Sequence, residues 1–142
     1  MRALGIDFGE KRIGLAISDP EGRLAVPLAT LARASDRAAV AQIAAIAHRE
    51  QVGRLVLGEP LDLEGRPGRL HARAERFGAK LAAATGLPIE RVDESLTSAE
   101  AARRLREAGV DPRRDPGRID AVAAQILLQE ALDRTGRAPR RV

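Results

Sequence analysis

A single carboxylate at the end of an apolar strand is the feature that most restricts how this chain can fold. Leu4-Gly5-Ile6-Asp7-Phe8-Gly9 leads through Glu10-Lys11-Arg12 into a second apolar run, Ile13-Gly14-Leu15-Ala16. The two runs are close enough in sequence to pair antiparallel. Asp7 is then held in an apolar strand, where its charged form loses hydration unless something pairs with it, and a metal ion is the most economical partner. Gly9 and Gly14 permit backbone angles and close approaches that side chains block, so the reversal can bring N–H groups near a phosphate. Asp is also a common turn residue, and the motif alone equally fits an ordinary hairpin.

The pattern continues as an α/β chain. Residues 2–7 and 12–18 read as strands, Ser18-Asp19-Pro20-Glu21-Gly22 as a turn, and residues 24–31 as a third strand whose Pro27 fits a sheet edge. Ser35 or Asp36 can cap a helix running to about residue 50, with Val40, Ile43 and Ala47 on one face. Gly53 closes it. Arg54-Leu55-Val56-Leu57 is a short central strand, ended by Gly58-Glu59-Pro60, and residues 61–68 form a loop at its end. A helix follows from about residue 68 to 84, with Leu70, Ala74, Phe77 and Leu81 on one side. Residues 87–92 form a strand that runs into Asp93-Glu94, and Thr97-Ser98-Ala99-Glu100 reads as a capping box opening a helix to Ala108. After a loop over 109–117, a last helix spans about Arg118 to Arg134. No repeat, low-complexity tract or linker interrupts this order. One domain over residues 1–136 is expected, with a basic tail at 137–142 that contains Arg137, Arg140 and Arg141.

Composition narrows the chemistry. Cysteine is absent, which excludes disulfides and thiolate zinc sites, and two histidines, His48 and His71, argue against a histidine metal centre. Any bound metal is expected to have oxygen ligands. No run is long enough to cross a bilayer and no signal-peptide layout opens the chain, so a cytoplasmic protein is expected. The net charge of +4 favours a polyanionic partner. Phe8 and Phe77 are the only aromatic residues, so a stacking platform for single-stranded bases is not expected.

Three carboxylates interrupt apolar surroundings: Asp7 in the first strand, Glu94 at a later strand end, and Asp120 in the last helix. Counting forward from Asp120, positions 123, 124 and 127 are Ala, Ala and Leu, so Asp120 lies on the face that packs inward. Clustered carboxylates repel one another unless divalent cations neutralise them, and Mg²⁺ or Mn²⁺ suits oxygen ligands. Two such ions can activate a water and stabilise the leaving oxygen of a phosphoryl displacement. Taken singly, Glu94 also fits a solvated cap and Asp120 a first-turn acid favoured by the helix dipole.

Gly5-Ile6-Asp7-Phe8-Gly9 through Ile13-Gly14-Leu15-Ala16, Gly58-Glu59-Pro60, Asp93-Glu94-Ser95-Leu96-Thr97-Ser98 and Arg118-Ile119-Asp120-Ala121-Val122-Ala123-Ala124 together resemble the YqgF family, also called RuvX. The resemblance covers nearly the whole chain. It implies an RNase H-like fold similar to that of the resolvase RuvC: a mixed five-stranded sheet, an antiparallel meander plus parallel strands, covered by helices. It further implies a divalent-metal-dependent hydrolase that matures the 5′ end of pre-16S rRNA, with Asp7, Glu94 and Asp120 as catalytic and metal-ligating residues. Three positions depart from the family pattern: Ser95 where Arg is common, Glu59 where an apolar residue is usual, and Arg118 in place of a frequent Lys. Asp93 competes with Glu94 for the ligand role, since a one-residue choice at a strand end is not fixed by sequence.

The expected nucleic-acid contacts are Lys11 and Arg12 in the first reversal, the helical stripe Arg69, Arg73, Arg76 and Lys80, and Arg113, Arg114 and Arg118 before the last helix. They suit structured nucleic acid read by shape and phosphates, either pre-rRNA or branched DNA. Three other readings compete with rRNA processing. Resolution of a four-way DNA junction by paired cuts needs a symmetric dimer, and the chain is expected to be a monomer or a homodimer. A non-catalytic nucleic-acid-binding module needs no carboxylate. The first motif also looks like the phosphate hairpin of sugar kinases and actin-like ATPases, but those close two domains around a nucleotide and this chain has length for one.

Overall fold

The computed structural model describes residues 1–62, 64–94 and 97–136, with the backbone alone at 97–99 and 136. The described elements run β1 (Arg2–Phe8), β2 (Arg12–Ser18), β3 (Ala25–Ala32), α1 (Asp36–Arg49), β4 (Val52–Pro60), α2 (Arg69–Thr85), β5 (Ile89–Glu94), α3 (Thr97–Glu107) and α4 (Pro116–Gly136). The strands form one sheet in the order β3-β2-β1-β4-β5. β1, β2 and β3 pair antiparallel, and β4 and β5 are added parallel to β1. Pro27 sits, as expected, on an edge strand, beside a register shift that lets the ladder pass it.

Alternation divides the sheet between two helical layers. Leu4, Ile6 and Phe8 of β1, Ile13 and Leu15 of β2, and Leu55 and Leu57 of β4 pack with Ile43 of α1 and with Phe77 and Leu81 of α2. Each such side chain, fully buried, contributes about 1.5–3 kcal/mol of transfer free energy. The opposite face is built from smaller residues, Ala3, Ala16 and Val56, against Ala124, Leu127 and Leu128 of α4. Small side chains let α4 come close to the strands. α3 rests on the outside of α4 through Ala101 and Leu105.

Local signals account for most boundaries. Ser35 caps α1, its Oγ accepting from the Ala38 N–H at 3.1 Å. Ser35→Ala is expected to cost about 1 kcal/mol, seen as a lower urea midpoint with an unchanged m-value; an unchanged midpoint would mean that packing alone sets the helix start. Gly86 ends α2 in the left-handed conformation, φ 69°, its N–H bonding the Ala82 carbonyl.

Several boundaries differ from the sequence reading. α1 stops at Arg49 with Glu50 as its cap, so Gly53 does not close the helix but lies inside β4, and β5 runs Ile89–Glu94 instead of 87–92. β4 does not stop before Gly58-Glu59-Pro60 but carries them, paired with Val92, Asp93 and Glu94 of β5. The ladder with β5 outweighs the breaker character of Gly and Pro there. α4 begins at Pro116 rather than Arg118, because proline is well suited to a first helical turn, where its missing N–H has no partner to lose. The Thr97 side chain of the expected capping box, Ser95 and the tail 137–142 lie outside the described residues.

Candidate active site at the ends of the central strands

Asp7 lies near the carboxyl end of β1, on the α4 face, directly between Gly14 of β2 and Gly58 of β4. Both neighbours are glycine for the same reason: other parts of the site occupy the space their side chains would need. A Cβ on Gly14 would collide with the backbone carbonyl of Asp120, so α4 descends onto β2 at that point and brings the Asp120 carboxylate with it. Packing against Gly14 is therefore by protein, where the sequence reading left room for a phosphate. A Cβ on Gly58 would stand 3.1 Å from Cγ and 3.3 Å from Cδ of Glu94, so the Glu94 carboxyl group lies over Gly58. The two glycines admit one carboxylate from each side of Asp7.

The electrostatics report the same convergence. Burial, then the charges of Glu94 and Asp120, push the Asp7 carboxyl from an ordinary 3.8 up to about 7. Such a group favours either a proton or a cation. Asp120 has a protein partner as well: Arg12 Nε donates to its Oδ2 at 2.7 Å. Three carboxylates thus approach one another from β1, β5 and α4, oxygen groups of a kind that could hold Mg²⁺ or Mn²⁺.

Alternation also separates the Asp93-Glu94 pair. Glu94 shares the α4 face with Asp7, whereas Asp93 is on the opposite side, its Oδ1 2.9 Å from His71 Nε2 of α2. Asp93 is therefore not part of the Asp7 group.

The basic residues divide in the same way. Arg12 is bonded to Asp120, Lys11 is exposed in the adjoining turn, and Arg118 is exposed in the first turns of α4, two residues before Asp120. Arg113 and Arg114 are exposed in the loop before α4, with Arg114 3.9 Å from Asp111. Arg69, Arg73, Arg76 and Lys80 lie on α2, across the sheet from α4. That stripe starts at the site's end of the molecule, since α2 follows β4, and runs away from it for roughly 16 Å at 1.5 Å per residue. Its far member, Lys80, has Nζ 3.5 Å from Asp36.

Sequence reasoning missed one grouping. Among the described residues, Glu59, His71 and Glu75 form a set whose donor atoms all lie within 4.8 Å of one another. The available signal was the period of β4, which puts Glu59 in line with the buried Leu55 and Leu57.

Residues 1–134 match the family model RuvX, described as Holliday junction resolvase. A candidate pre-16S rRNA nuclease of Chloroflexus aggregans is 46% identical over 130 residues, covering 92% of each chain. One of Syntrophus aciditrophicus is 44% identical, covering 94% of this chain and 89% of its own. Among solved structures, T. thermophilus RuvC in complex with a Holliday junction substrate superposes with a TM-score of 0.62 at 19% identity, over 97% of this chain and 98% of that one. Fowlpox virus resolvase with Holliday junction DNA gives 0.56 at 10% identity, over 95% and 99%. At these identities the likeness establishes the fold, which is the RNase H-like fold of RuvC-type resolvases.

Proposed function

The chain belongs to the RuvX family, and from that premise we propose that it is a divalent-metal-dependent endonuclease that trims the 5′ end of pre-16S rRNA in the cytoplasm, with Asp7, Glu94 and Asp120 as its catalytic and metal-ligating residues. The observation that carries the reading is the gathering of Glu94 and Asp120 around a carboxyl pushed up to about 7. Mg²⁺ or Mn²⁺ held there would supply the Lewis acidity that activates a water and stabilises the leaving oxygen.

The chain's own residues supply the rest. Asp7 is fixed by ladder pairing on both sides, so its carboxylate has little freedom to drift. Arg12 holds Asp120 in place and leaves its half-exposed guanidinium at the mouth of the site, where a phosphodiester can share it. Lys11 and Arg118 extend the positive rim, and the α2 stripe, with Arg113 and Arg114, positions more distant phosphates.

A second reading, cleavage of a four-way DNA junction, is favoured by the description of the matching family model. The deciding experiment compares cleavage of a structured pre-rRNA 5′ leader with that of a synthetic four-way junction, with Mg²⁺, with Mn²⁺ and with chelator, while binding is measured in parallel. Metal-dependent cutting of the leader supports the proposal, and cutting of the junction alone moves the second reading ahead. Binding of both without cleavage under any metal rejects the nuclease.

The α2 stripe has its own test. Reversing Arg73 and Arg76 to Glu should weaken binding across sequences and reduce the slope of log affinity against log salt by about 1 per lost phosphate contact. An unchanged slope removes the stripe from the interface.

A further inference from the structure

We propose that Glu59, His71 and Glu75 form a second metal site, for a borderline transition ion of the Zn²⁺ type, on the face of the sheet opposite Asp7. Glu59 is the penultimate residue of β4 and faces α2. It is only 4% exposed, and its Oε2 is buried with no hydrogen-bond partner among the described residues. A buried carboxylate oxygen without a donor carries a desolvation penalty that a proton or a cation must relieve. Burial accordingly raises the Glu59 pKa; the charges of Glu75 and Asp93 add to that effect, while His71 and Arg91 oppose it.

The surroundings supply ligands. His71 and Glu75 are four residues apart on α2 and so share one side of the helix. One donor atom from each, with one from Glu59, falls inside a 4.8 Å limit, a spacing that a small contraction turns into a shell of bonds of about 2.0–2.2 Å. Asp93 Oδ1, 2.9 Å from His71 Nε2, is placed to fix the ring, as a carboxylate commonly does beside a metal-ligating histidine. Arg91 of β5, which passes close to Gly78 of α2, is the opposing charge, and the three carboxylates outnumber it. An imidazole with two carboxylates selects Zn²⁺ or its neighbours over Mg²⁺, which prefers oxygen and retained water.

An ion there would tie the first turns of α2 to the ends of β4 and β5. Those strand ends also carry Gly58 and Glu94, the adjoining residues that face the other way.

The test uses Asp7→Asn protein, which weakens the carboxylate site on the α4 face, titrated with Zn²⁺ by calorimetry and with Co²⁺ by visible absorption. One equivalent of Zn²⁺ not displaced by excess Mg²⁺, a Co²⁺ spectrum with nitrogen coordination, and a Tm raised by Zn²⁺ are expected. His71→Ala and Glu59→Gln should each abolish these signals, and Asp93→Asn should weaken binding about tenfold. Circular dichroism confirms that each variant is folded, and His71→Ala serves where Glu59→Gln does not fold. Failure of folded Asp7→Asn protein to bind Zn²⁺, or equal affinity in His71→Ala, overturns the proposal.

Discussion

Asp7→Asn is expected to reduce metal-dependent cleavage by at least a hundredfold, about the largest loss seen for groups that merely support a metal, while nucleic-acid binding survives. The same substitution should change how stability depends on pH. In the folded chain the Asp7 carboxyl keeps its proton up to about 7, against an ordinary 3.8. Between those values the folded state binds more protons than the unfolded state. The stability this group contributes is therefore fully present below the lower value and is lost as pH rises through the upper one. At about 1.4 kcal/mol per unit, the loss over that window is on the order of 4 kcal/mol. Asparagine has no proton to release, so the variant should show a flatter profile and, with chelator present at about pH 8, melt above the wild type. Adding Mg²⁺ should raise the wild-type Tm at that pH and leave the variant unmoved. Parallel profiles for the two proteins would mean that Asp7 is not held in the repulsive group described above.

Gly14→Ala should be the most damaging Gly→Ala change among the described glycines. The added carbon would fall on the backbone carbonyl of Asp120, and a helix backbone cannot swing aside as a side chain can. α4 must lift from β2, at an overpacking cost of about 3 kcal/mol or more, equivalent to a Tm lowered by roughly 6–12 °C for a domain of this size. Because the lift carries Asp120 away from Asp7, cleavage should fall further than stability predicts. Gly58→Ala is the informative comparison. There the obstacles are side-chain atoms, Leu127 Cδ2 at 2.9 Å and Glu94 Cγ at 3.1 Å, which can yield. It should cost less in Tm yet still disturb Glu94. Equal melting of Gly14→Ala and wild type would show that α4 does not rest on that glycine.

Much of this arrangement could be read from local patterns. The Ser35 cap, the Gly86 stop and the apolar period of β1 and β2 act over a few residues, so they are visible in the sequence. The inward face of Asp120 follows from helical spacing alone. Other features depend on partners distant in the chain. Gly58 and Pro60 have the character of strand breakers and continue β4 because β5 pairs with both and β1 also pairs with Gly58. Glu59 looks like a polar residue in a turn until α2 covers it. His71 meets Asp93 across 22 positions, and that contact exists only because α2 returns over the end of β5. Arg12 looks like a phosphate contact in the sequence, and its bond to Asp120, 108 positions away, does not follow from composition or period.

β5 borders the sheet and is held by a single neighbour, the arrangement in which a strand most easily slides along its ladder. A slip of one position would keep an acid in register on one side only. In one direction Asp93 would take the place of Glu94 beside Asp7 and apolar Val92 would come opposite His71; in the other Glu94 would come to His71 and the place beside Asp7 would lose its acid. The alignment of one edge strand thus sets the charge on both faces of the sheet at once.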